Sequence, residues 1–576
     1  MKKAAWLLII ACISTSLRAE DSRLLAREDV LTRRAEELFL SAWTVPPVED
    51  LPLAAGDLRR QLERLSSLVE DASIRARAAA LLKALSRDDV VFDFMFAGGA
   101  GLHSTSETDR YHFIQTVDRQ GAPVNDVAFL DYLSVYTLSG TPSFYSLGAA
   151  LQLLGLAVQV QADLNSSYSF LLTQPTSLNF PNRIQAFSPA LPARAMVSFF
   201  STPFEFRIGR GGLKIGPGTW GSMVLNSRIP YFDHLKARLF VDTAFSLSLF
   251  VINLNPIIST REQAYLQDMY DGLIPNPEVN ADANGKPFIG AAKNLILSRL
   301  TVTPFPWLSF TVTQTNLVGG RDPILADLIP LNIFHNLFAE GVYSCPLSIT
   351  ATVVPYRGIK VYGEFFLQDI MAGDETDPTV NPGAAGYQAG LVLLSTPFFS
   401  LGPGRFRLNV EWSYVDPWVY LRYYSVRQYT SRIVYWDPEA GDTWIEYPLG
   451  FYLGPDALDV NVSLSYGVPG EWEIELWWNM NGLGKIDIFG WGEDSDFSHV
   501  GEPGYPLSAA PTPTAQWTNT WRLSVYVQVT PRLKAAAWYM MKYVVNRFHA
   551  PGDNRFSHAL GIQLDYEFIG PKEVLR

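Results

Sequence analysis

The chain has 576 residues, is 48% hydrophobic and 13% aromatic, and carries a formal charge of −12. That acidic balance argues against a nucleic-acid partner. A mean hydropathy of +0.06, with no long apolar run after the amino terminus, excludes a helical membrane protein. The 15 Trp, 26 Tyr and 34 Phe fit a membrane barrel, whose rings gather at both water–lipid boundaries. A secreted β-sandwich or a sugar-binding protein would share that enrichment.

Lys2 and Lys3 precede the apolar run Ala4 to Ile13, and small residues follow as far as Ala19. This is the pattern of a signal peptide spanning residues 1–19. Ile9-Ile10-Ala11-Cys12 also resembles a lipoprotein cleavage box, with Cys12 as the lipidated residue. Cutting after Ala19 leaves Cys345 alone, so neither an intramolecular disulfide nor a cysteine metal cluster is expected. No cofactor is expected either.

Residues 20–88 are rich in Arg, Glu, Leu and Ala. Leu58, Leu62, Leu65 and Val69 recur at helical spacing, as do Ile74, Ala78, Leu81 and Leu85. Two or three amphipathic helices follow, with Asp57 as a candidate cap and an earlier helix at about Arg23 to Ala42. So small a bundle would be marginal alone and is expected to lean on something larger.

From about residue 89 to 570 the period becomes two. Leu156, Val158, Val160, Ala162 and Leu164 alternate with polar or small residues, and Phe406, Leu408, Val410, Trp412 and Tyr414 do the same. Short proline turns recur at Thr202-Pro203, Thr303 to Pro306, Val354 to Gly358, Thr396-Pro397, Val468 to Gly470 and Thr530-Pro531. Between them lie long polar loops, roughly 255–292, 316–345, 369–385, 425–458 and 480–518. Tight turns alternating with long loops predict an all-β transmembrane barrel of about 16–18 antiparallel strands, turns in the periplasm and loops outside. His558, Leu560, Ile562, Leu564, Tyr566 and Phe568 form one face of a last strand that resembles the closing-strand signal read by the barrel-assembly machinery. A short tail, 571–576, follows.

No enzyme constellation emerges: the seven His are scattered, and there is no G-x-S-x-G elbow or P-loop. His112 and His335 are the nearest to candidates for a barrel hydrolase, and enzymatic activity is not expected. The lumen-facing set Arg407, Asn409, Glu411, Lys360, Tyr362, Glu364 and Gln368 reads two ways, as a saccharide or channel lining or as a network that stiffens a wide barrel. Trp418, Tyr420, Arg422, Tyr423 and Tyr424 are planar or cationic side chains suited to sugar faces, although rings in a barrel also serve as interfacial girdles.

One stretch carries a family resemblance. Gly216-Pro217-Gly218, Gly221-Ser222, a short apolar strand with Asn226, and Arg228-Ile229-Pro230 follow in the order of the outer-membrane capsule-assembly family called Wzi. Asp327 to Leu337 and Val361 to Asp369 look like two further segments of that family. The last third of the chain has no such segment, and Gln368 stands where the family has an acid. The resemblance implies an 18-stranded barrel with periplasmic helices across its lower mouth. It also implies a role in holding or organising surface polysaccharide at the outer membrane, among its lipid and lipopolysaccharide. A porin-like channel or transporter with residues 20–88 as a plug is the alternative, and an adhesin a third.

Overall fold

The computed structural model describes residues 21–26, 29–47, 49–85, 91–106, 136, 140–153, 155–166, 176–180, 192–241, 244–273, 290–330, 343–369, 382–395, 404–422, 425–437, 441–468, 470–490, 496–500, 502, 505 and 509–569. The signal segment with Cys12, the tail, His112, His335, Tyr423, Tyr424 and residues 331–342 lie outside these. Helices α1 (Val30–Ser41), α2 (Ala55–Leu68) and α3 (Ala72–Leu85) come first. Asp57 does not cap α2 but lies inside its first turn, where the N-cap Ala54 makes no side-chain bond, whereas Asp29 caps α1 by accepting from the Leu31 N–H.

Eighteen strands then close into one antiparallel barrel. They are β1 (Val91–Thr105), β2 (Tyr145–Leu153), β3 (Leu156–Leu164), β4 (Arg194–Ser201), β5 (Phe204–Gly211), β6 (Phe232–Val241), β7 (Phe245–Asn253), β8 (Lys293–Phe305) and β9 (Leu308–Gly319). The second half is β10 (Leu347–Tyr356), β11 (Ile359–Asp369), β12 (Ala384–Leu394), β13 (Arg405–Val415), β14 (Ala457–Val468), β15 (Trp472–Leu483), β16 (Gln516–Thr530), β17 (Leu533–Val545) and β18 (Arg555–Ile569). β18 pairs with β1, from Ala559 opposite Thr105 to Ile569 opposite Phe96, which removes every long free edge.

The alternation sets the two faces. On β18, Leu560, Ile562 and Leu564 keep 42%, 44% and 46% of their surface exposed on the outside, while Ala559 and Gly561 are buried inside. So much exposed Leu and Ile is stable only against lipid. Near the turns an aromatic girdle follows, including the parallel Phe305–Trp307 pair and Phe96 stacked on Phe568.

On β7 and β8 the alternation fails towards the loop end. Phe250, Ile252, Leu295 and Leu297 point inward yet are fully buried. The inner faces of these strand ends are covered by protein, so they carry apolar side chains where the rest of the lumen wall is polar. Two elements were not expected from the sequence, a helix α4 (Thr260–Tyr270) and a hairpin of Thr430–Asp437 with Gly441–Pro448, both in long loops.

Candidate functional site

The protein that fills the barrel is the β5–β6 connection. Residues 212–231 turn inward instead of crossing the rim, and the wall carboxylate Glu411 on β13 holds them. It accepts the backbone N–H groups of Thr219 (2.6 Å), Trp220 (3.2 Å) and Gly221 (3.0 Å), and the Tyr362 hydroxyl of β11 donates to it as well. Three converging amides on one carboxyl group form a strong hydrogen-bonded cradle. Beside it, Glu364 accepts from the Met223 N–H (3.2 Å) and from Ser348 Oγ (2.9 Å).

The glycines make this approach possible. A Cβ on Gly218 would stand 2.0 Å from the Gly221 carbonyl, and Gly216 has φ +98°.

The β13–β14 connection, residues 416–456, packs against this inner loop. Tyr420 donates its hydroxyl to the Met223 carbonyl (2.8 Å) and accepts the Phe451 N–H (2.9 Å). Tyr429 donates to the Val224 carbonyl at 2.8 Å. Tyr420 sits at φ +74°, a costly conformation for a bulky residue that these contacts over-determine. Asn226 donates to the Tyr136 hydroxyl (2.9 Å) and the Pro448 carbonyl (3.1 Å), and the Arg228 guanidinium lies 3.8 Å from the centre of the Tyr452 ring. Met223, Leu225, Phe250, Leu297, Trp418 and Phe451 belong to one continuous apolar cluster that joins wall, inner loop and upper connection.

The turn end is closed differently. The α1–α3 bundle has its own apolar core, Leu38, Phe39, Leu58, Leu62, Ala78 and Leu81 among it. It reaches the wall through charges and through apolar contacts, Leu24 and Ala54 clustering with Phe200 and Phe240. Glu36 meets Lys360 (3.2 Å) and Arg407 (3.0 Å), Asp57 meets Arg238 (2.7 Å) and Arg60 (3.0 Å), and Asp50 meets Arg299 (3.0 Å). Burial alone would raise the Glu36 carboxyl, but the Arg407 and Lys360 cations overcome it and hold it well below the usual carboxylate range. Burial likewise works against ionised Asp57, and Arg238 and Arg60 bring it down to about 2. Small apolar contacts help, as where Leu40 packs with Val354 and Val392. The bundle and the inner loop touch where Asp50–Leu51 pairs with Lys214–Ile215.

The residues singled out in the sequence therefore fall into separate places. Tyr362, Glu364, Glu411, Gly216, Pro217, Gly218, Gly221, Ser222 and Asn226 come together inside the barrel, all buried. Arg407 faces the bundle. Trp418 and Tyr420 are 0% exposed, so their rings pack protein rather than solvent. Arg422 is half-buried and donates to the Leu421 carbonyl (3.1 Å), and Pro230 is exposed. Sequence reasoning missed Ser348, which carries no motif, the docking residues Glu36 and Asp50, and the docking role of Asp57. Among the described residues no group of three or more His, Cys, Asp or Glu is arranged to hold a metal.

No family model matches the sequence, and no curated protein matches it either. Solved structures do. Wzi of Escherichia coli, an outer-membrane protein involved in group 1 capsule assembly and described as a carbohydrate-binding β-barrel, overlaps with a TM-score of 0.52 at 12% identity. The overlap covers 94% of this chain and 98% of that one. The chain has the Wzi fold. More remote barrels include the channel DcaP of Acinetobacter baumannii (TM-score 0.32, 9% identity, 84% of this chain and 99% of that one) and OccK11 of Pseudomonas aeruginosa (0.35, 8%, 84% and 96%). The likeness to the Wzi-like barrels expected from the sequence holds at the level of the fold, and the strand number is the 18 it implied.

Proposed function

We propose that this chain is a non-enzymatic outer-membrane barrel that binds or organises surface polysaccharide of the capsular type. The observation that carries this reading is the apolar seal. Residues 212–231 and 416–456 fill the lumen with one core shared with the wall and separate from the bundle's own core. Such a barrel works at its surface rather than through its middle. The Wzi fold supports a glycan as the ligand, because that neighbour is described as carbohydrate-binding. In this reading the loops face outward, the helices lie in the periplasm, the barrel sits among lipid and lipopolysaccharide, and β18 is recognised by the barrel-assembly machinery.

The competing reading is a channel whose plug is residues 20–88, favoured by the charged character of the bundle–wall contact. Single-channel conductance in planar bilayers separates the two, measured with and without residues 20–88. The proposal expects no stable steps from either form. It further expects whole cells displaying the protein to retain purified capsular polysaccharide. Large steps after trimming would overturn it in favour of the channel.

A further inference from the structure

The bundle does not fill the turn-end mouth. Between α1 and the arc from β13 to β18 lies a cleft of about 870 Å³. Six cationic side chains line it against four carboxylates, in a chain that is acidic overall.

Most of the opposing charges are already engaged with each other. Arg407 is held by Glu36 at 3.0 Å, Arg33 meets Glu473 at 3.1 Å, and Lys534 stands opposite Asp565 across the β17–β18 ladder. Arg405 is paired with Glu37. Arg34 of α1 and Arg77 of α3 have no hydrogen-bonded carboxylate among the described residues. Arg77 shares the field of Glu37 with Arg405, and burial together with the Arg405 charge pushes its pKa down. Half-buried guanidinium groups short of acid partners are stabilised by an incoming carboxylate, which each can grip with two parallel N–H bonds.

The rest of the lining suits a sugar rather than a peptide. Tyr526 turns a ring that is 43% exposed into this space, a flat apolar face for the C–H side of a pyranose. Gln528, Gln563 and Ser465 add polar groups to the lining, the two amide nitrogens already donating to the Thr530 carbonyl (2.6 Å) and to Asp565 (2.8 Å). The closed wall leaves no free strand edge on which an extended peptide could add.

We propose that this cleft binds a carboxylate-bearing glycan chain, with Arg34 and Arg77 on its acid groups and Tyr526 against a sugar face. The inference stands apart from the loop-end reading above. Whole cells offer only their outer face to added polysaccharide, whereas protein in detergent exposes both ends, so the two can fail separately.

Calorimetric titration of the full-length protein in detergent tests it. The probes are an oligo-uronate, a neutral oligosaccharide of equal length, a cell-wall glycan fragment carrying lactyl carboxylates, and an oligo-glutamate peptide. The uronate or the wall fragment should bind at least about tenfold more tightly than the neutral sugar; whichever of the two binds better identifies the source. The double variant Arg34→Gln/Arg77→Gln should lose about tenfold in affinity, and raising salt should weaken binding as well. Tyr526→Ala, on the wall and clear of the bundle, should weaken every glycan that binds. Retained heat-modifiable mobility of each variant on gels shows that it is folded. Equal binding of acidic and neutral sugars, an oligo-glutamate that binds as tightly as the uronate, or folded arginine variants with unchanged affinity would each overturn the proposal.

Discussion

The two closures of this barrel are built from opposite materials. At the loop end, residues 212–231 and 416–456 share one apolar core with the wall, and a single carboxylate, Glu411, organises three backbone amides deep inside it. At the turn end, a bundle that already has its own core meets the wall through Glu36, Asp50 and Asp57. An apolar core shared with the wall cannot leave without unfolding the wall. A separately folded bundle held by ion pairs can leave and remain a bundle. The first closure belongs to the barrel, and the second is a body docked to it.

That contrast predicts a ranking. Replacing Glu411 with Ala strands three amides and should cost about 4 kcal/mol, seen as lost heat resistance of the whole barrel on gels. A variant as stable as the parent would break the comparison. Asp57→Asn leaves Arg238 under-compensated and should weaken bundle docking by about 3 kcal/mol without lowering barrel stability. Hydrogen exchange in α1–α3 against that in β11–β13 reads this split directly.

Acid should loosen this turn-end closure. Asp57 has its folded-state pKa lowered to about 2, against about 3.9 for an unfolded Asp. Its contribution is therefore complete above about pH 4 and is lost as the pH falls towards 2. Glu36, also lowered, adds in the same direction. Trp43 on the bundle stacks on Trp307 of the β8–β9 turn with ring centres 6.3 Å apart. Its fluorescence should be flat from about pH 5 to 8 and change only in strong acid; a transition near neutrality would contradict the assignment.

Tyr420→Phe removes one hydroxyl from two backbone partners and should cost about 2 kcal/mol at the loop end. Smallest of all, Arg33→Ala breaks the exposed pair with Glu473 and should leave bundle docking unchanged in the same exchange experiment.

Much of the architecture was legible. Period-two alternation on β3, β13 and β18, proline turns at one end and long loops at the other, and the three bundle helices could be read because each is a local pattern. The filling of the lumen could not. Strand β8 reads Leu295-Ile296-Leu297, an unbroken apolar run whose meaning depends on what covers its inner face, and that is a segment some 75 residues away. Trp418 and Tyr420 look like loop rings because composition does not distinguish a loop with a core from a loop in water. The helix α4 did leave a signal: Ser259 and Glu262 form a capping box, three residues apart and visible in the sequence. The ion pairs of the bundle left none, since Glu36 and Arg407 are 371 residues apart.

The layering of the loop end also imposes an order of construction. The inner loop lies between the β11–β13 wall and residues 416–456, hydrogen-bonded to Glu411 on one side and to Tyr420, Tyr429 and Leu449 on the other. A layer enclosed on both sides has to be laid before its cover. During biogenesis residues 212–231 would thus settle onto their wall strands first, although those strands emerge well after them in the chain, and the β13–β14 connection would come down last. A nascent barrel paused before that step would expose Met223, Val224 and Leu225 to water. Such an intermediate is the stage at which a periplasmic chaperone would have most to hold.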